Sequence, residues 1–392
     1  MDAVSNPYSP GAGLRPTVLV GRDDELAAFA AVLERAELDR PIRGVVVTGL
    51  RGVGKTVLLH QFADQAAERD WMIVEAEVQP RGDRAFLGVL VRSLTVAVRR
   101  TAGRRLGDLA HRALASIKAF SLTVDPSGGL GVGIEVDAHG SGDLDSDFAT
   151  LALDVSRRAK EMGVGVAVFV DELQELDRAT MAALAGAAHI TSQRAMPFVV
   201  VGAGLPNLPA RLADARSYAE RLFDYHPLGP LTPQLAADAL TGPAAGEGVA
   251  WETGALDVTI KESGGYPYFL QEFGSQIWSV ADASPITRRD ARVGVRLGLA
   301  RLDGGFFRAR WDRATPAERR YLQAMVVDGA GPSRTQEIAA RLGKVHSSVG
   351  PTRAGLIGKG LIFSPEYGYV AFTIPGMAEF VRRHTEPENG LD

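Results

Sequence analysis

The run Gly49-Leu50-Arg51-Gly52-Val53-Gly54-Lys55-Thr56 completes the pattern Gly-x-x-x-x-Gly-Lys-Ser/Thr. Glycines spaced this way let successive backbone N–H groups curl around a phosphate, and a helix starting at Lys55 turns its positive end toward the same anion. Lys55 would then neutralise the outer phosphates, while the Thr56 hydroxyl suits magnesium, an oxygen-seeking cation. A second group of chemical residues closes the apolar run Val166 to Val170, which ends in Asp171 and Glu172. Beside a phosphate turn, Asp171 would hold the metal and Glu172 would polarise the attacking water.

Both groups need a sheet to present them. Val45 to Thr48 reads as a short buried strand directly before the turn, and Lys55 to Arg69 as a helix with Val57, Leu58, Phe62 and Ala66 inward. Asp23 to Glu37, Phe86 to Arg99 and Ser146 to Met162 carry helical spacing, while Met72 to Val78, Val166 to Val170 and Phe198 to Val201 read as strands. Strands alternating with helices predict an α/β fold, a parallel sheet covered by helices on both faces, with ligands at the carboxyl ends of its strands. Ser121 to Asp137 interrupts the alternation and reads as an inserted hairpin around Asp125-Pro126-Ser127-Gly128-Gly129.

The strand signal stops at Leu231. Stretches 232–242, 252–262, 266–281 and 287–301 read as helices, with Thr232, Thr253 and Thr287 as caps. From 303 to 386 the pattern changes again to three helices, at Pro316 to Val327, Thr335 to Leu342 and Ser347 to Lys359, then two strands, Leu361 to Phe363 and Tyr369 to Phe372. That is the order of a winged helix-turn-helix. The expected division is a flexible leader at 1–16, a nucleotide-binding core at 17–230, a helical lid at 231–302, the winged helix at 303–386 and a tail at 387–392.

The chain has 392 residues, enough for two or three domains, and no cysteine, which removes disulfides, thiolate zinc sites and cysteine nucleophiles. Neither a signal peptide nor a membrane-spanning apolar run is legible, so the expected location is cytoplasmic. No histidine falls in a metal-binding spacing and no serine in a Gly-x-Ser-x-Gly elbow. The absence of an Asn-Lys-x-Asp run favours adenine over guanine, hence ATP with Mg2+.

The phosphate turn, the strand ending Asp171-Glu172-Leu173-Gln174, the entry motif Val20-Gly21-Arg22-Asp23-Asp24-Glu25-Leu26 and the later Gly264-Gly265-Tyr266-Pro267-Tyr268 together resemble the AAA+ class of P-loop ATPases. Kinship is nearest to the archaeal-type and origin-initiator-like members, which shade into the STAND signalling ATPases. The resemblance covers about residues 17 to 385. It implies that Val20, Gly21 and Arg22 lie near the adenine. It also implies an arginine finger, with Arg221 preferred over Arg216, acting on a neighbouring copy in a homo-oligomer.

Two departures from that family are visible. Glycine stands where a polar sensor usually ends the fourth strand, in Val201-Gly202-Ala203-Gly204-Leu205-Pro206-Asn207, with Asn207 a displaced substitute. Tyr268 occupies the place of the second sensor, commonly an arginine, and a tyrosine cannot cancel phosphate charge.

Residues 303 to 386 hold 12 basic and 8 acidic residues, a balance of +4 in a chain of net charge −4. Arg334, Arg341, Lys344, Arg353 and Lys359 face only Glu337 in the expected reading unit, with Ser347, Ser348, Thr352 and Arg353 on its recognition helix. DNA phosphates are one partner for such a surface and a docked protein is the other. Gly350 and Pro351 make that helix irregular or late to start. Two functions follow from these residues: an ATPase coupling nucleotide hydrolysis to conformational change on DNA, or a slow, STAND-like nucleotide switch acting through protein partners.

Overall fold

The computed structural model describes residues 1–78, 83–102, 107–124 and 143–385. The chain divides into two compact units.

One unit comprises Arg22–Thr48 and Lys55–Pro227. Its strands are β1 (Gly44–Thr48), β2 (Met72–Glu77), β3 (Val166–Asp171), β4 (Phe198–Gly204) and β5 (Phe223–Pro227). They pair in the order β2-β3-β4-β1-β5, and every pairing is parallel. Helix α1 (Asp23–Glu37) precedes the sheet, and the helical crossovers that parallel strands need lie in α2 (Lys55–Glu68), α3 (Asp83–Ala102), α4 (Gly107–Val124), α5 (Leu144–Glu161), α6 (Arg178–Gln193), α7 (Leu208–Ala215) and α8 (Ala219–Leu222). The central strands β1 and β4 are buried along their whole length, as expected where helices cover both faces. Phe29 of α1 packs on Phe62 of α2 with ring centroids 4.5 Å apart.

This is the α/β class that the alternation predicts, with additions. Strand β5 and helix α4 were not legible. The expected hairpin at 121–137 is corrected where it is described: Ser121–Val124 form the last turn of α4, and the rest lies outside the described residues.

The other unit comprises Met1–Gly21, Gly49–Gly54 and Leu228–Asp392. It begins with four helices, α9 (Pro233–Gly246), α10 (Thr253–Ser263), α11 (Pro267–Val280) and α12 (Arg288–Arg301). Thr232 and Thr287 cap α9 and α12, the latter in a capping box with Asp290. Thr253 is instead the first helical residue after Glu252. A π-helical turn, Leu302–Phe307, leads into α13 (Arg308–Asp312).

Next come α14 (Pro316–Val326), β6 (Ser333–Arg334), α15 (Thr335–Arg341), a 3-10 turn His346–Val349, α16 (Gly350–Gly358), β7 (Ile362–Phe363), β8 (Tyr369–Phe372) and α17 (Met377–Thr385). The three short strands form an antiparallel sheet in the order β6-β8-β7. As Gly350 and Pro351 foretell, the third helix starts late, after its 3-10 turn.

The amino terminus departs from the flexible leader expected of its proline and glycine content. Tyr8 is only 4% exposed. Its hydroxyl donates to the Leu240 carbonyl at 2.5 Å and accepts from the Trp251 indole N–H at 3.1 Å. Its ring meets Trp251 and Trp278 edge-on, both at 6.4 Å. A large aromatic buried with its polar tip satisfied anchors the segment that Pro7 and Pro10 make look loose.

Candidate phosphate and metal site

The turn from β1 into α2 is built by its glycines. Gly52 and Gly54 sit at φ of 87° and 93°, a region where any side chain is strained. A Cβ on Gly49 would lie 2.5 Å from the Leu228 carbonyl oxygen, so that position admits glycine alone. A Cβ on Gly54 would meet nothing within 4 Å, so the loop keeps an open concavity at that point. Lys55 opens α2 and is 7% exposed, a burial that suits an ammonium held for an anion.

Thr56 and Asp171, 115 residues apart in sequence, come together: the Thr56 hydroxyl donates to Asp171 Oδ2 at 2.6 Å. Strand order explains the meeting, since β4 alone separates β1 from β3 and both strands end on the same side of the sheet. One hydroxyl and one carboxylate form an oxygen set that fits a magnesium ion completed by phosphate and water. No cluster of three or more His, Cys, Asp or Glu suited to a metal occurs among the described residues.

Glu172 has a left-handed backbone, φ 52° and ψ 37°. Its N–H donates to Asp171 Oδ1 at 2.8 Å, so the two acidic residues are locked in sequence by a main-chain bond. Its carboxylate accepts from Gln174 Nε2 at 2.5 Å, while Gln174 Oε1 accepts from the Leu205 N–H at 3.0 Å. Gln174, 2% exposed, thus bridges the acidic end of β3 to the end of β4.

The glycines that looked like missing sensors acquire a reason here. A Cβ on Gly202 would lie 2.6 Å from Leu173 Cδ2, and one on Gly204 would lie 2.5 Å from Gln174 Oε1. The strand has no polar side chain there because Gln174 arrives from its neighbour. In the sequence Gln174 follows the acidic pair with no spacing that marks a role; the available signal was the pair of glycines opposite. Asn207 precedes α7, and its Oδ1 is buried without a hydrogen-bond partner.

Arg216 contacts Asp145 at the start of α5. That bond commits the second finger candidate within its own chain, whereas Arg221 is exposed on α8. Arg22 flanks α1, and burial pulls its guanidinium below the usual range, partly offset by Glu25. Val20 is half-buried, and Gly21 adopts φ 63°, with a would-be Cβ 2.6 Å from Leu235.

Tyr268, at the start of α11, is bound to the phosphate turn: its N–H donates to the Gly52 carbonyl at 3.1 Å. Burial raises its phenol pKa, so it stays a neutral hydroxyl at physiological pH. On the turn itself, the Arg51 N–H donates to the Thr373 carbonyl at 3.0 Å, and a Cβ on Gly360 would lie 3.2 Å from the Arg51 guanidinium.

The basic surface near α15 and α16 is smaller than its sequence suggests. Arg341 binds Asp328 through both terminal nitrogens, at 2.5 and 2.6 Å, and Lys359 binds Glu318 at 2.5 Å. Arg353 donates to Ser364 Oγ at 2.8 Å. The expectation that Glu337 alone opposes these cations is therefore corrected: Asp328 and Glu318, from α14 and the turn after it, are nearby in space though distant in sequence. Arg334, stacked 5.6 Å from the Tyr369 ring centroid, and Lys344 remain exposed.

Residues 18–201 match the family described as AAA ATPase domain, and residues 304–381 match a Domain of unknown function (DUF8462). No curated protein matches the chain. Among solved structures, a Walker-type ATPase of Pyrococcus abyssi superposes with a TM-score of 0.58 at 16% identity, covering 94% of this chain and 97% of that one. The Holliday junction branch migration motor RuvB of Thermotoga maritima gives 0.46 at 16% identity, covering 95% and 99%. The Orc1 protein of Aeropyrum pernix, in complex with DNA, gives 0.46 at 17% identity, covering 94% of each chain. The first of these is a likeness of fold. No described helix is long and apolar enough to cross a membrane. The family match over residues 18–201 contains the phosphate turn and the acidic end of β3 in one α/β fold, so this part of the chain is similar to an AAA ATPase domain.

Proposed function

We propose that this chain binds ATP with magnesium and hydrolyses it slowly, using the nucleotide state to set its conformation. The observation that carries the reading is the Thr56–Asp171 bond, which sets a metal-binding hydroxyl and carboxylate beside Lys55 and Glu172. The amides of Gly49 to Gly54 hold the phosphates, and Lys55 balances their charge. Thr56 and Asp171 hold the magnesium ion, directly or through water. Magnesium, when bound, draws charge off the transferring phosphoryl group. Glu172 orients a water and takes its proton as the water oxygen bonds to the terminal phosphorus; the bond from that phosphorus to the bridging oxygen breaks, leaving ADP and phosphate. Val20, Gly21 and Arg22 serve the adenine, and Arg221 serves a neighbouring copy.

Slow turnover is the reading because the Glu172 carboxylate is already held by Gln174, and because a neutral tyrosine stands in the second sensor's place. The division into a core at 17–230, a lid at 231–302 and a winged helix at 303–386 belongs to the same proposal. So does the kinship to origin-initiator-like members of the class. DNA contact narrows to Arg334 and Lys344, since Arg353 and Lys359 are spent on internal bonds. A switch acting through a protein partner is the second reading, favoured by those same internal bonds.

The deciding experiment measures binding of ATP, ADP and GTP with magnesium, then ATP turnover with and without duplex DNA. Selective adenine-nucleotide binding with measurable turnover is the expected result. Absence of binding to any of the three removes the proposal, and binding without turnover leaves the switch.

A further inference from the structure

Helix α12 carries five arginines and a single acidic residue, Asp290. Asp290 is committed to the capping box, where its Oδ2 accepts from the Thr287 N–H at 2.9 Å and from the Thr287 hydroxyl at 2.7 Å. Arg301, in the last turn, sits where a helix favours a cation and lies 3.5 Å from Glu272. The other four, Arg288, Arg289, Arg292 and Arg296, are exposed, and among the described residues none of their guanidinium groups pairs with a carboxylate.

Packing fixes which way this row points. Ala291, Gly294, Val295 and Gly298 form the buried face of α12. A Cβ on Gly294 would lie 2.5 Å from Ile277 Cγ1, and one on Gly298 would lie 2.6 Å from Phe273 Cδ1, both on α11. Close approach through two glycines sets the rotation of the helix, so Arg289, Arg292 and Arg296, at i, i+3 and i+7, share an outward face with Arg288. The row is electrostatically unfavourable on two counts. Arg288 with Arg292, and Arg292 with Arg296, are like charges four residues apart, which destabilise a helix. Arg288 and Arg289 also set positive charge against the positive end of the helix dipole. A face that only meets water would be as soluble, and more stable, with alternating signs.

We infer that the row Arg288, Arg289, Arg292 and Arg296 is a docking surface for the phosphate backbone of duplex nucleic acid, gripped without regard to base sequence. A guanidinium group bonds a phosphate through two parallel N–H donors, which a row of arginines repeats. From Arg288 to Arg296 the helix rises about 12 Å, a span over which a duplex, with about one charge per 1.7 Å, presents several phosphates. An acidic protein fits less well, because a protein interface needs an apolar core for its charged rim to surround. Leu297, the large apolar residue exposed on α12, lies about 100° of turn beyond Arg296 and away from the other three arginines. The helix carries no aromatic side chain on which unstacked bases could rest, which favours duplex over single strand. This surface is separate from Arg334 and Lys344 and stands independently of the nucleotide reading.

The test is the affinity of the full chain for a fluorescent DNA duplex, measured by anisotropy across a salt series. Arg292→Gln combined with Arg296→Gln should weaken binding roughly tenfold or more at low salt, and should reduce the slope of log affinity against log salt by about 1.8, the value for two lost phosphate contacts. The same variant should melt at or above the wild-type temperature, because a like-charge pair has been removed. Earlier melting would assign the row a structural role and overturn the inference. Arg43→Gln combined with Arg308→Gln removes equal charge from groups paired with Asp224 and Asp312, and should leave affinity and slope near wild type. An equal loss there would mean that net charge alone attracts the duplex, which also overturns it. Stronger binding of the corresponding single strand, or displacement of the duplex by polyglutamate as readily as by unlabelled duplex, would give the row to another partner. If Arg334→Gln with Lys344→Gln abolishes duplex binding while the α12 variant changes nothing, this inference falls and contact through Arg334 and Lys344 stands. A chain that binds ATP and no duplex overturns this inference and leaves the nucleotide reading intact.

Discussion

Gln174 Nε2 donates to Glu172 Oε2 at 2.5 Å, so the carboxylate expected to act on water is held by a residue only two positions further along the chain. The same side chain satisfies the Leu205 N–H. Replacing it by leucine removes both bonds and leaves a buried amide without a partner. Gln174→Leu should destabilise the chain by about 1 to 3 kcal/mol in a denaturant titration, and it should change turnover more than nucleotide affinity. Equal stability to wild type would show that the bridge is not formed in solution.

Lys55→Ala removes the buried ammonium at the start of α2. ATP affinity should fall roughly tenfold or more, as for loss of a charged hydrogen bond, with little change in melting temperature. Fluorescent-nucleotide titration measures it, and retained affinity would remove Lys55 from the phosphate site.

Glu172→Gln keeps the size of the side chain and its place beside Gln174. Binding should persist while turnover drops about a hundredfold or more, the usual contribution of a general base. Steady-state phosphate release checks this, and intact turnover would reassign the water-orienting role.

Asp328 offers a test by pH. Its hydrogen bond to Arg341 holds the carboxyl below its ordinary value of 3.8. A carboxyl depressed on folding adds stability that is complete above 3.8 and is lost as pH falls through the lower, folded value. Asp328→Asn should therefore melt earlier than wild type near neutrality, and the gap should close on acidification. A gap independent of pH would mean the pair contributes no linkage.

Tyr8→Ala deletes an aromatic buried among Leu240, Trp251 and Trp278. The expected cost is about 3 kcal/mol in thermal or chemical unfolding. A negligible change would restore the flexible leader that the local sequence suggests.

The contrast between Tyr8 and Thr56 shows what the sequence makes legible. Thr56 lies in a pattern whose every position has a local physical reason, so the turn, the strand before it and the helix after it were readable together. Tyr8 is secured by Trp251 and Trp278, partners more than 240 residues away, and no local periodicity announces them. Strand β5, Phe223-Asp224-Tyr225-His226-Pro227, was missed because an edge strand has only one paired side and tolerates polar residues and a terminal proline. Gln174 was hidden for a similar reason: its partner, Leu205, stands at the end of another strand. The irregular start of α16 was legible because glycine and proline act on their own backbone.

The hydrogen bond from Arg51 to Thr373 gives the phosphate turn an unusual reporter. Deuterium uptake at the Arg51 amide is gated by release of a carbonyl that follows β8, so its exchange should keep time with opening of the segment around Thr373 and differ from that of the β1 amides next to it in sequence. One backbone proton inside the nucleotide loop would thus register when the segment around Thr373 lets go.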